Sequence, residues 1–193
     1  MNLYTLVLFT HVCGAIGMFA GMCIWLFGAV ALRRAVRVEQ VRTITGLMTL
    51  SDTLTVASIL LLAAAGLYLV VAYWGLQIRW IDVAMVCFVL IAPIGPTIVE
   101  PRVKALAALA KDAPDGPLSP QLTARAHDPF VATGLHTIVA GLLGIVFLMT
   151  NKPPLTESIV AMLVAFALGI ISSLPLWLAA RMRMRHSNSA MVK

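Results

Sequence analysis

The chain has 193 residues, 61% of them hydrophobic and only 11% charged, with a net charge of +6 and a mean hydropathy of +0.96. Soluble domains are nearer half apolar and a quarter charged, and a single core of this size cannot hide the excess. A soluble globular fold is therefore excluded and a lipid bilayer is the implied partner. The basic residues are scattered, without the interleaved aromatics of single-strand binders, which excludes nucleic acid.

Five stretches reach the roughly 20 apolar residues that a membrane-crossing helix requires. The first covers 3–32. It lacks a basic leader and is too long for a signal-peptide core, so it reads as a retained helix. Its Gly14, Gly17, Gly21 and Gly28 lie on one side at 100° per residue. Small residues of this kind let membrane helices approach closely, and they also leave room for a flat cofactor. The second stretch covers 47–73 and carries one acid, Asp52; Ser51-Asp52-Thr53 also has the form of a helix start. The third covers 81–99, with Pro93 and Pro96 expected to kink its end. Residues 100–129 form the one long loop. Its first part, Glu100 to Ala110, is able to extend the third helix, and its centre, Lys111 to Pro117, is rich in turn residues. The fourth stretch covers 130–149, with Thr137, Ala140, Gly141 and Gly144 in a second small-residue pattern. The fifth covers 159–180 and contains Pro175, a bend that a membrane helix tolerates. No internal repeat interrupts this plan, so residues 1–193 read as one all-α, polytopic transmembrane bundle.

Twelve of the fourteen Lys and Arg residues fall on one side of this plan. Arg33, Arg34, Arg37 and Arg42 follow the first helix. Arg102, Lys104, Lys111 and Arg125 occupy the long loop, and Arg181, Arg183, Arg185 and Lys193 the tail. Arg79 and Lys152 are left opposite. The positive-inside rule then sets the N-terminus outside and the C-terminus in the cytoplasm. Tyr4, Tyr73, Trp74 and Trp80 gather at the expected outer interface, as aromatic belts do. Cys13, Cys23 and Cys87 lie inside apolar runs with no CxxC pair, so a disulfide framework or structural zinc site is not expected.

Ionisable groups inside a membrane are costly and mark candidate sites. His11 lies in the outer half of the first helix, with Ala15, Met18 and Met22 on its face. Imidazole suits haem iron or another transition metal; a hydrogen-bonded packing histidine and a proton carrier are the other readings. His136 lies six residues into the fourth helix from the inner side, flanked by Ala132 and Ala140, and is a second candidate ligand. The two are expected about 10 Å apart along the membrane normal. That spacing disfavours one haem bridged by the pair and favours two sites, one per leaflet. Asp52, Glu100 and Arg102 lie near the inner face as candidate proton or ion-pair groups, with Asp52 and Glu100 expected to pair with Arg102 or His136, or to cap helix ends. His127 reads as a loop or capping residue, and His186 as part of the exposed tail. Hydrolase and phosphate-binding motifs are missing, so no enzyme class is assigned.

Three segments carry a resemblance: Leu3-Tyr4-Thr5-Leu6 through His11-Val12-x-Gly14-Ala15, then Pro101-Arg102-Val103-Lys104-Ala105-Leu106, then Phe147-Leu148-Met149-Thr150-Asn151-Lys152-Pro153. Together they resemble a bacterial family of predicted integral membrane proteins of unknown function, over about residues 1–153, with the fifth helix as an addition. More remotely, the first helix resembles the copper-resistance-D membrane domain and the membrane protoporphyrinogen oxidase. These groups share an early His in a Gly-rich first helix, and haem binding is implied for the oxidase. The relatives have Trp where this chain has Met18, and the oxidase uses a Lys deep in a later helix, whereas the third helix here has none before Lys104. Only His11 carries over. The resemblance implies a multi-pass protein of the bacterial inner membrane.

Three functions follow as expectations. The first is a haem-b protein for transmembrane electron transfer or redox sensing, with His11 and His136 as axial ligands. The second is a small-solute or ion transporter using His11, Asp52 and Glu100. The third is a non-catalytic accessory subunit. The Gly-rich faces of the first and fourth helices are the expected surfaces for a homodimer or larger complex.

Overall fold

The computed structural model describes residues 2–191, with side chains described through 182. His186, Arg183 and Arg185 therefore have no described side chains, and Lys193 lies outside the described residues. Helices α1 (Leu3–Arg34) and α2 (Val38–Leu69) come first, followed by α3 (Arg79–Ile91) and α4 (Glu100–Asp112). Then come α5 (Pro120–Ala126), α6 (Pro129–Asn151), α7 (Leu155–Ile171) and α8 (Leu174–Met191). They form five helical spans long and apolar enough to cross a membrane: Leu3–Arg34, Val38–Trp74, Arg79–Asp112, Pro120–Asn151 and Leu155–Met182.

The expected start of the second span at 47 is corrected to Val38. Residues 38–46 are too polar to register as a membrane segment, yet they keep helical spacing, with Val38, Val41, Thr45 and Met48 buried along one side. The junction between α1 and α2 is thus only Ala35–Arg37. It is extended at both ends, and the Gln40 side chain accepts hydrogen bonds from the backbone of Val36 (2.8 Å) and Arg37 (3.2 Å). The Arg37 guanidinium donates to Glu39 at 2.7 Å, a bond that raises its pKa above the ordinary value. Ser51-Asp52-Thr53 lies in mid-helix rather than at a helix start. Ser51 and Thr55 donate back to the carbonyls of Met48 and Ser51, a local arrangement open to hydroxyl residues inside helices.

α2 closes in one π-helical turn, Val70–Trp74, and stops at Gly75, whose φ of 80° favours a residue without Cβ. The third span breaks where expected. Pro93 and Pro96 lack backbone N–H groups, α3 ends at Ile91, and a π-helical turn at Gly95–Val99 carries the chain into α4. The long loop of 100–129 is largely helical, through α4 and α5. α6 is capped by Asp128, which accepts from Phe130 N at 2.9 Å, and ends at Lys152 in the left-handed region before Pro153 and Pro154. The fifth span starts at 155, four residues early, and its bend falls at Ser172 and Ser173, one turn ahead of Pro175.

The aromatic end of the bundle comes together as expected, with Tyr4 against Tyr73 (5.1 Å between centroids) and Trp74 against Trp80 (6.2 Å). At the opposite end, Arg42 reaches the loop after α4: its Nε donates to the Ala110 carbonyl at 2.7 Å, and its terminal nitrogens bind the Ala113 carbonyl and Asp115. The outer surface is apolar. Phe27 is 71% exposed and Leu50 75%, a distribution that water would penalise and lipid does not.

Candidate functional site

Two glycine-lined seams set the positions of the functional side chains. α1 and α2 run antiparallel in close contact. A methyl placed on Gly14 would lie 2.8 Å from the Leu62 backbone nitrogen, and one on Gly21 would lie 2.0 Å from Thr55 Oγ1. In α6, Gly141 abuts Ile91 and Phe166, and Gly144 abuts Met162 and Ala165. Both glycine faces are thus occupied by helices of the same chain. Close approach within the chain is what these small residues provide, and Ala140 and Gly144 also line the groove beside His136.

His11 sits on the first seam and is buried, at 9% exposure. Its ring lies over Gly66, where a Cβ would meet Cε1 at 2.9 Å. Its Nδ1 is 3.0 Å from the Leu62 carbonyl oxygen. A carbonyl only accepts, so in the neutral ring Nδ1 carries the proton and Nε2 keeps its lone pair. No hydrogen bond to Nε2 is found among the described residues. Beside the ring lies an apolar cavity of about 360 Å³, lined also by Met18, Phe19, Phe88 and Met149.

His136 is half-buried on the second seam. Its Nδ1 is 3.0 Å from Ser172 Oγ, and it opens on a different groove, shared with Leu26 of α1 and with α7. His11 lies level with Met149, and His136 with Leu26. Thirteen residues of α6 separate His136 from Met149, about 20 Å at the helical rise, roughly double the expected spacing. The two rings face separate cavities, so a single haem bridged by the pair does not fit.

The polar groups expected near the inner face pair differently from expectation. Asp52 Oδ1 accepts from Trp25 Nε1 at 3.0 Å. Glu100 binds Lys104 one turn along α4 rather than Arg102. Arg102 pairs with Asp128 at 3.3 Å, donates to the Ile98 carbonyl at 2.8 Å and lies 4.9 Å over the Phe130 ring. His127 Nδ1 donates to the Thr123 carbonyl at 2.9 Å, a local bond in the manner of a capping residue. Trp25 was not among the sequence candidates. It lies 27 residues from Asp52, and only the antiparallel register of α1 and α2 brings them together. Trp177, which donates to Thr133 at 2.9 Å beside Ser173, likewise gave no signal beyond being aromatic.

Among the described residues, no group of three or more His, Cys, Asp or Glu side chains is placed to hold a metal ion. An all-protein cage of hard ligands is therefore not present in them. A single imidazole in an apolar cavity with thioethers on its walls is a different donor set. It suits a cofactor that brings its own equatorial ligands, such as haem, and His11 fits that requirement.

Neither the curated proteins nor the solved structures contain a match to the chain. The remoter likeness to the copper-resistance-D domain and the oxidase thus gains no support. A family pattern does match, over residues 5–153, ending at the two prolines that precede α7. On that match the chain belongs to the DUF2269 family of predicted integral membrane proteins.

Proposed function

We propose that the protein is a haem-b-binding membrane protein for electron transfer or redox sensing, set in the inner membrane of a bacterium with its N-terminus outside. One observation carries the reading. His11 is a buried imidazole whose Nδ1–H is committed to the Leu62 carbonyl, and its Nε2 lone pair is left beside an apolar cavity. A backbone carbonyl on one ring nitrogen is the usual device for fixing a ligating histidine in orientation and tautomer. His11 would hold the haem iron through Nε2, and Met18 and Met149 of the cavity lining would offer thioethers. Bound haem would supply one-electron chemistry there. The chain's own part is to hold the imidazole, exclude water with apolar walls and keep its tautomer fixed. His136 plays no part in that site. The twelve-to-two division of basic residues supports the orientation.

The test is the visible spectrum of the detergent-purified protein, oxidised and reduced. A Soret band that His11→Ala removes and His136→Ala leaves is the expected result. A colourless protein from haem-replete cells, or a band that survives His11→Ala, overturns it.

A further inference from the structure

The interior cavity on the inner side of His11 is the second built space in this bundle. It measures about 270 Å³ between α1, α2, the α3–α4 break and α6 and is part-open, with exposed Leu60 and Ala92 in its lining. Its walls are apolar and aromatic, including Phe88, Leu135 and Ile138, and its polar lining comes from Trp25, Asp52, Thr55 and Glu100. The two acids are level. Arg42 of α2 touches Ala110 of α4, and ten residues forward along α2 and ten back along the antiparallel α4 lie Asp52 and Glu100.

Their charges are not equally answered. Five of the eight acids, Glu39, Asp82, Glu100, Asp115 and Asp128, have ion-pair partners. Asp112 and Glu157 are exposed at helix ends. Asp52 is part-buried within the bundle and makes no ion pair of its own among the described residues; it receives one neutral N–H, from Trp25, and feels the charge of Lys104 only at longer range. Lys104 on the facing helix is committed to Glu100, and its side chain is 62% exposed. A carboxylate in a low-dielectric interior requires either a proton or a cation.

We propose that this cavity binds a small organic monocation, with Asp52 as its counter-ion and Trp25 and Phe88 on the cavity wall. Charge complementarity selects the cation. The apolar walls select an organic body over a hydrated metal ion, and indole is the best aromatic neighbour for such a charge. The charged end of this site, at Asp52, is distinct from that of the haem reading, although the two cavities share Met18, Phe88 and Leu142 as lining residues.

The probe is benzyltrimethylammonium, a permanent cation, measured by equilibrium dialysis against the full-length protein in detergent. Saturable binding is expected, weakened about tenfold or more by Asp52→Asn, as loss of a close charge contact requires. Asp52→Glu keeps the charge and is expected to retain most of the affinity. Ala92→Phe, at an exposed lining position, is expected to weaken binding by narrowing the cavity without touching Asp52. The uncharged isostere neopentylbenzene is expected not to compete. Equal binding by Asp52→Asn, full competition by neopentylbenzene, or no saturable binding by the wild type overturns the proposal. Full competition by neopentylbenzene would mean that the space recognises the apolar body and not the charge. The measurement does not depend on haem content, so its failure leaves the haem reading standing.

Discussion

His11 and His136 are both histidines on glycine-rich helices, and the chain treats them differently. His11 bonds to a backbone carbonyl, which can only accept, so its neutral ring has one tautomer. His136 bonds to the Ser172 hydroxyl, which itself donates to the Gly169 carbonyl at 2.8 Å. With its one proton on Gly169 the hydroxyl accepts from Nδ1–H, but rotation about Cβ–Oγ would turn that proton to the ring instead, so the His136 tautomer is less constrained than that of His11. His11 is buried against α2, whereas His136 is half-buried and borders an open groove on the α6–α7 side. A ligand needs a fixed lone pair in a dry place, and only one of the two has it. Burial alone does not make the distinction; the chemistry of the second ring nitrogen's partner does.

The strongest way to break this comparison is Gly66→Leu. Its side chain would enter the space held by the His11 ring, where even Cβ comes within 2.9 Å. We expect loss of any Soret band, together with destabilisation of about 1–3 kcal/mol from overpacking, read by thermal unfolding in detergent. An unchanged spectrum would show that the seam does not hold the ring. Gly21→Val, nearly three turns beyond His11 in α1, is expected to cost a similar amount, about 1–3 kcal/mol, by driving a side chain into Thr55 while leaving His11 in place. Ser172→Ala probes the other histidine. It removes the hydroxyl bond at a cost of about 0.5–1.5 kcal/mol and should leave the visible spectrum unaltered. Nitrogen-15 NMR of haem-free protein sharpens the contrast without a mutation: His11 should show a single Nδ1–H tautomer and His136 an exchange average. The smallest effect is expected at Gly46, where an added Cβ meets nothing within 4 Å. Gly46→Ala in mid-helix should be neutral or stabilising by up to about 1 kcal/mol.

The division between what sequence revealed and what it did not follows physical lines. Hydropathy located all five spans because lipid contact makes long apolar runs compulsory. Prolines 93 and 96 located the third span's break because a missing N–H is a local property. The polar first turns of α2 were missed because a helix that projects beyond the apolar run has no hydropathy signal, and only the spacing of Val38, Val41, Thr45 and Met48 betrays it. The glycine faces were legible as packing surfaces, but the partner of each was not. Site pairings failed most. Glu100 and Arg102 are two residues apart and point to different neighbours, Lys104 and Asp128, and the Trp25–Asp52 bond depends on a register that no local pattern encodes.

The three-residue junction between α1 and α2 has a consequence for biogenesis. Two long helices joined so tightly enter a membrane as one hairpin, and this hairpin is complete by Leu69. By then His11, the Leu62 carbonyl and Gly66 are all in place, so the imidazole acquires its fixed tautomer while almost two thirds of the chain is still to be made. Met149 and the remaining walls arrive much later, with α6. The order of synthesis thus presents an oriented histidine on a nascent hairpin before the pocket around it closes.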